Sequence, residues 1–226
     1  MSVIKKNAPG SNELLMGNEA IARGALEAGI QFAAAYPGNP SSEIIGTLAE
    51  VAEEMGIYVE WSVNEKVALE AAASASFSGL RALSAMKQNG VNVASDFILN
   101  LNLSGVGTGG LVLVAADDPA AISSTNEEDS RFIAKLGDLP LLEPATFQEA
   151  KDMTRWAFEL SEAINSLVVL RSVSRISHAR GNVILGELPR EKKTAHYDTS
   201  KIFIPVSAPV RHLALHMKLG KVREMY

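Results

Sequence analysis

Cysteine is absent from all 226 residues, which excludes disulfides, thiolate zinc sites and cysteine-ligated iron–sulfur clusters from this polypeptide. Any electron-carrying cluster that serves it must sit on another chain. A surplus of positive charge is also missing: 21 Lys and Arg stand against 26 Asp and Glu, so no electrostatic attraction to nucleic acid or an anionic membrane is expected. No apolar run approaches the ~20 residues needed to cross a bilayer. The opening residues, MSVIKKNAPG, carry lysines without an apolar signal core behind them, and a cytoplasmic location is expected. Neither H-E-x-x-H nor a serine nucleophile elbow occurs, which leaves metalloprotease and α/β-hydrolase chemistry without their defining groups. What remains is 47% apolar, enough for the core of one large α/β domain or two small ones.

From residue 12 to about residue 172 helix-like and strand-like segments alternate, with glycines or polar clusters at the joints. That rhythm predicts an α/β fold, a parallel sheet sandwiched by helices. Helices are expected over 18–28, 41–55, 64–78, 127–136 and 147–164, with Gly29 and Gly56 as stops. Strands are expected at IQFAAAY, IYVEWSV, LRALSAMK, LVLVAA, LPLLEP and SLVVLRS. A turn is expected at QNG (88–90), followed by a helix-like segment through Leu103. Beyond about Arg180 the alternation fades, and a charged helical tail is expected over 209–226.

Two polar loops fall at the carboxyl ends of predicted strands, where open parallel sheets bind ligands. The first is Tyr36-Pro37-Gly38-Asn39-Pro40-Ser41-Ser42-Glu43, whose prolines and glycine fix a turn beside a helix start. An ordinary capped turn, which needs no ligand, is the competing account. The second is Ser62-Val63-Asn64-Glu65, ahead of VALEAAASASF, whose small side chains imply close packing and bring Glu65 into a confined place. The competing account is a capping box in which Glu65 binds only the Ser62 amide. Gly105, Gly107 and Gly110 spell G-x-G-x-x-G but follow a helix-like segment and open a strand, the reverse of a dinucleotide fingerprint. Asp117-Asp118-Pro119 and the polar run through Arg131 match no metal loop, and no metal site is expected. Arg131 suits an anionic group, or else pairs on the surface with Glu127 or Glu128. His178 faces a site from its loop or serves as a structural hydrogen-bonder.

Taken in order, ELLMGNEAIARGALEAG, AAAYPGNPSSEI, SVNEKVALEAAASASFSGLRALSAMK, NVASDF, GGLVLVAADDP, NEEDSR, LEPATFQEAKDM, AFELSE and RISHARG resemble the indolepyruvate branch of the thiamine-dependent 2-oxoacid:ferredoxin oxidoreductases. The resemblance covers about residues 12–182 and implies the domain that binds the aminopyrimidine end of thiamine diphosphate. It makes Glu65 the glutamate that hydrogen-bonds a pyrimidine ring nitrogen and favours the imino tautomer. It places Tyr36, Pro37, Gly38, Asn39 and Pro40 beside the cofactor, and Asn126, Arg131, Arg175 and His178 toward substrate. The activity implied is oxidative decarboxylation of a 2-oxoacid to acyl-coenzyme A, with electrons delivered to ferredoxin.

Two residues depart from the family pattern. Asn39 stands where threonine is usual, and Gln88 where many relatives have histidine, which opens the contact and the substrate preference to change. Diphosphate, magnesium and iron–sulfur clusters are implied on other domains, since no G-D-G metal motif or cysteine is present. The implied division is a pyrimidine domain over 1–182 and a linker over 183–226. The implied partners are a diphosphate-binding domain or subunit, a ferredoxin or cluster-bearing subunit, and a second copy in a homodimer. Rival readings are a non-catalytic assembly domain of this fold and a thiamine enzyme for another 2-oxoacid.

Overall fold

Every residue of Leu111–Asp117 (β5) is buried. A strand without a polar face belongs in the middle of a sheet covered on both sides. In the computed structural model, which describes residues 3–189, 191–199 and 209–225, β5 lies between β4 (Ala82–Lys87) and β7 (Val168–Val173). β2 (Phe32–Ala35) and β3 (Tyr58–Trp61) extend the sheet on one side, and the two-residue β6 (Leu141–Leu142) on the other. The order is β3-β2-β4-β5-β7-β6, and every pairing is parallel.

Helices cover both faces, as the alternation predicts. α1 (Gly17–Glu27), α2 (Ser42–Met55) and α7 (Phe147–Ile164) bury Ile21, Ile44, Leu48 and Phe158 against one face. α3 (Glu65–Phe77), α4 (Gln88–Val93), α5 (Ser95–Ser104) and α6 (Arg131–Leu136) bury Leu69, Val91, Ile98 and Ala134 against the other. α3 approaches closely because its buried positions are mostly Ala and Ser. A Cβ on Gly107, at the entry to β5, would lie 2.8 Å from Phe77 Cα. The G-x-G-x-x-G run is thus a close-packing joint between α5 and β5.

Three local expectations are corrected. QNG is no turn: Gln88 opens α4 directly from the end of β4. The helix expected over 127–136 begins only at Arg131, because Asp117 takes both the Ser130 backbone N–H (3.0 Å) and its hydroxyl (2.5 Å) and so fixes the helix start. A second, two-stranded sheet was not anticipated. β1 (Asn12–Met16) pairs antiparallel with β8 (Arg180–Ile184), joining residues at opposite ends of the sequence. α8 (Ser174–His178) leads from β7 into this ribbon.

The expected boundary at residue 182 falls inside β8. Described residues beyond it still pack on the domain: Val183 and Leu185 are buried in the core, Lys193 and Gln31 exchange hydrogen bonds of 2.7 and 3.1 Å, and His196 N–H donates to the Ser78 carbonyl at 2.8 Å. The tail forms α9 (Pro209–Met225), whose Lys218 ammonium donates to the Asn102 carbonyl and side chain at 2.9 and 2.8 Å. Burial lowers that lysine's pKa to about 8.

Candidate functional site

From β2 the chain crosses to β3 on one side, then returns over β2 to β4 on the other. Outside the carboxyl ends of β2 and β4 the connections diverge, and such a switch point is the usual ligand position in open parallel sheets. The turn 36–40 leaves β2 here, residues 62–65 leave β3, and Lys87 leads into α4. Gly38 and Lys87 meet: a Cβ on Gly38 would lie 3.1 Å from Lys87 Cγ.

The turn is held from within the domain. Gly38 N–H donates to Ser42 Oγ at 2.9 Å, and Ser41 Oγ donates to the Gly38 carbonyl at 2.8 Å. Buried Asn18 donates from Nδ2 to the Pro40 carbonyl at 2.8 Å and to Glu43 Oε2 at 2.9 Å. Both serines are therefore committed to the turn itself. Tyr36, Pro37 and Asn39 face outward, and the Asn39–Pro40 peptide is cis.

Glu65 is not part of a capping box. Asn64 is the N-cap and accepts from Val67 N–H at 3.0 Å. The Ser62 amide that Glu65 was free to bind donates instead to the Ala35 carbonyl at 2.8 Å. Glu65 is only 8% exposed, yet its carboxylate has no hydrogen bond or ion pair among the described residues. Its resting place is the backbone of α4. A Cβ on Gly90 would lie 2.5 Å from Glu65 Cγ and 2.8 Å from Oε1. The short helix α4 thus links Glu65, through Gly90, to the turn at Gly38, through Lys87.

A neighbouring cleft of about 380 Å³ collects Asn39, Asp118, Ile122, Ser123, Ser174, Arg175 and His178. Arg175 has no hydrogen bond or ion pair among the described residues, and His178 Nε2 lies 3.6 Å from Glu43 Oε2. Burial alone would raise the Asp118 pKa. Hydrogen bonds from Ser174 Oγ (2.6 Å) and from the Ser123 N–H (2.7 Å) more than offset it and bring it to about 2. These bonds clasp the irregular 118–130 loop to α8.

Asn126 and Arg131 lie outside that cleft. Asn126 is fastened over α4, accepting from Asn89 Nδ2 at 2.5 Å and, through its carbonyl, from Gln88 Nε2 at 3.3 Å. Arg131 is gripped two-pronged by Asp129 at 2.6 and 2.8 Å, rather than by Glu127 or Glu128. That hydrogen bonding holds the Asp129 pKa below its ordinary value. Behind it, buried Arg171 pairs with Asp117 at 2.6 Å and also with Glu143. Sequence reasoning missed Asn18, Lys87 and Gly90, and weighed Asp118 only as a metal ligand. Lys87, which ends the otherwise uncharged run ALSAMK, was the most legible of them.

An open parallel sheet with a polar crevice at its switch point defines a ligand-binding α/β domain. Residues 23–210 match the family model described as pyruvate flavodoxin/ferredoxin oxidoreductase, thiamine diP-bdg, and the chain belongs to that family. Among named relatives, the indolepyruvate oxidoreductase subunit IorA of Thermococcus kodakarensis is 50% identical over 98% of this chain and 35% of its own length. The 2-oxoglutarate synthase subunit KorA of Archaeoglobus fulgidus is 30% identical over 81% of this chain and 55% of its own length. A solved 2-oxoglutarate:ferredoxin oxidoreductase from Magnetococcus marinus shares the fold, with a TM-score of 0.78 over 95% of this chain and 46% of that one, at 16% identity. The chain spans about a third of the length of the IorA relatives it matches.

Proposed function

We propose that this chain is the aminopyrimidine-binding domain of a thiamine-diphosphate-dependent 2-oxoacid:ferredoxin oxidoreductase acting on an aryl 2-oxoacid of the indolepyruvate type. The observation that carries the reading is Glu65, a carboxylate buried at the switch point, without a partner among the described residues and resting on a glycine. A buried charge requires a hydrogen-bonding partner, and a protonated ring nitrogen supplies one. The chain's residues therefore fit the group. Glu65 accepts from that nitrogen and holds the proton there, Gly90 leaves room for the carboxylate, and the Tyr36–Pro40 turn flanks the ring. Bound thiamine diphosphate supplies the nucleophilic carbon and electron sink for decarboxylation.

Arg175 and His178, with Asn39 opposite, offer the cleft an unpaired cation and a second donor for a carboxylate. Asn126 and Arg131 act at one remove, by fixing the 118–130 loop. Diphosphate, magnesium, iron–sulfur clusters, ferredoxin and coenzyme A are assigned to other domains or subunits. Residues 183–226 serve as the connector toward them, and pairing of two copies is compatible with a shared site. Among the described residues no helix is long and apolar enough to cross a membrane, and a cytoplasmic location accords with the activity.

The test is reduction of a redox dye by the chain assembled with its remaining domains, thiamine diphosphate, magnesium, coenzyme A and indolepyruvate. Glu65→Gln is expected to lower the rate by about 10²–10⁴-fold. Equal rates in both forms would remove Glu65 from the chemistry and the proposal with it.

A further inference from the structure

Lys87 is the last residue of β4, half-buried, and its ammonium has no hydrogen bond or ion pair among the described residues. Its stem lies against the turn: Cβ, Cγ and Cδ are 3.6, 3.1 and 3.3 Å from where a Cβ on Gly38 would stand, so the missing side chain leaves room for the lysine to run past. β4 lies between β2 and β5. Lys87 therefore stands between Gly38, whose neighbour Asn39 lines the cleft, and the end of β5, where its register partner Ala116 comes two residues before Asp118 of the same cleft. Leu83, Ala85, Val112 and Val114 all pack into the core beside α1, α2 and α7, and strand alternation carries Lys87 and Asp118 to that face. Asp118 is taken up by Ser174 and Ser123 and leaves the lysine unpaired. In the other direction Lys87 runs straight into α4, three residues before Gly90, the seat of Glu65. Along the carboxyl edge of the sheet the order is thus Glu65 after β3, Lys87 at β4 and Arg175 after β7.

We infer that Lys87 is a catalytic residue of the proposed reaction and donates to the keto oxygen of the 2-oxoacid. The inference rests on the functional reading above. That reading puts the pyrimidine ring at Glu65 and the substrate carboxylate at Arg175, and the keto group is the part of a 2-oxoacid that lies between the attacking carbon and the carboxylate. As the new carbon–carbon bond forms at the keto carbon, the C=O π pair passes to its oxygen. The ammonium meets that developing charge with a hydrogen bond and keeps its own proton, so no further reactant is required. A donor already in place where charge appears favours the transition state over the ground state.

Two measurements on the assembled enzyme loaded with thiamine diphosphate test the assignment. Lys87→Met keeps the stem against Gly38 and removes only the charge and its N–H donors. With indolepyruvate, kcat is expected to fall about 10²-fold or more while KM stays within about threefold. Calorimetric binding supplies the second readout, with indolelactate, which carries an oxygen on the carbon next to the carboxylate, and indolepropionate, which carries none there. Lys87→Met should weaken indolelactate about tenfold and leave indolepropionate unchanged, whereas Arg175→Ala should weaken both alike. Equal loss of the two analogues in Lys87→Met would make the lysine a carboxylate ligand. Loss of neither, or an unchanged kcat, would make it a solvated surface cation, and any of these results overturns the inference. A wild-type enzyme that binds neither analogue and oxidises no aryl 2-oxoacid defeats the functional reading itself, and that failure shows before any variant is made.

Discussion

Two buried carboxylates, Glu27 and Glu65, sit at opposite ends of the parallel sheet and are treated in opposite ways. At the end where α1 finishes, Arg23, Glu27 and Lys151 form a closed group. Arg23 donates from Nε to Glu27 at 2.8 Å and from its terminal nitrogens to the carbonyls of Ile4, Lys6 and Gly186 at 2.7–2.8 Å. Lys151 and the Gly186 N–H complete Glu27 at 2.8 and 2.6 Å. At the carboxyl end Asp117 is closed by Arg171, but buried Glu65 is left open among the described residues, as is the exposed guanidinium of Arg175. A closed network stabilises and specifies the fold, here by tying segments before β1 and after β8 to α1. An open one marks where something outside the chain belongs.

The sharpest way to break this contrast is to neutralise one carboxylate at each end. Glu27→Gln leaves the buried Arg23 guanidinium without a counter-charge and Lys151 with Asp152 alone, and should cost about 3–5 kcal/mol, a fall in Tm of about 10 °C by calorimetry. Glu65→Gln leaves no cation orphaned and loses only its interaction with the helix dipole, about 1 kcal/mol or less. Equal losses in Tm would erase the distinction between framework and site. Gly90→Ala comes next. In an ordinary helix that change stabilises by about 1 kcal/mol, but here the new methyl displaces Glu65 and also meets the Cβ of buried Met86 at 2.9 Å, so the helix gain is offset and dye reduction should fall about 10²-fold. Unimpaired turnover would show that Glu65 needs no such seat.

Arg175→Ala sharpens the comparison further, since an unpaired surface guanidinium can be removed with less than about 0.5 kcal/mol lost. KM for the 2-oxoacid should rise about tenfold or more, and a constant KM would place the carboxylate elsewhere. The smallest effect concerns Asp118. Its folded pKa, about 2, lies below its ordinary 3.8, so the clasp on the loop is complete above 3.8 and lost as pH falls through about 2. The Ser123 amide resonance should titrate with a midpoint near the lower value, and Ser174→Ala should move that midpoint upward. A wild-type midpoint at 3.8 would mean that the clasp does not form.

Local signals carried much of this fold. β5, α3 and α7 were legible because an apolar run or a helical period extends over many consecutive residues, and the crevice was legible because turn residues follow strands. Glu65 stood out for the same reason, as an acid between a strand and a helix of small side chains. The β1–β8 ribbon was not legible: NELLM and RGNVI are short, and each becomes a strand only by pairing with the other across most of the chain. QNG was misread because Asn-Gly favours a turn locally, whereas the end of β4 runs directly into α4, where Gln88 and Asn89 donate to Asn126. Asn18 and Asp118 carry no periodic or motif signal, and their importance arises from partners far away in sequence.

By itself the sequence determined the α/β class, the order of most elements, the absence of cysteine chemistry and the acid at the start of α3, because each depends on neighbouring residues or on composition. Only the tertiary structure decided that Glu65 is free of the capping box, that Gly90 seats it, and that Asn39, Arg175 and His178 share a cleft while Arg131 is held by Asp129. Those outcomes depend on which of several competing hydrogen-bond partners comes within reach, and strand order, not sequence distance, sets that.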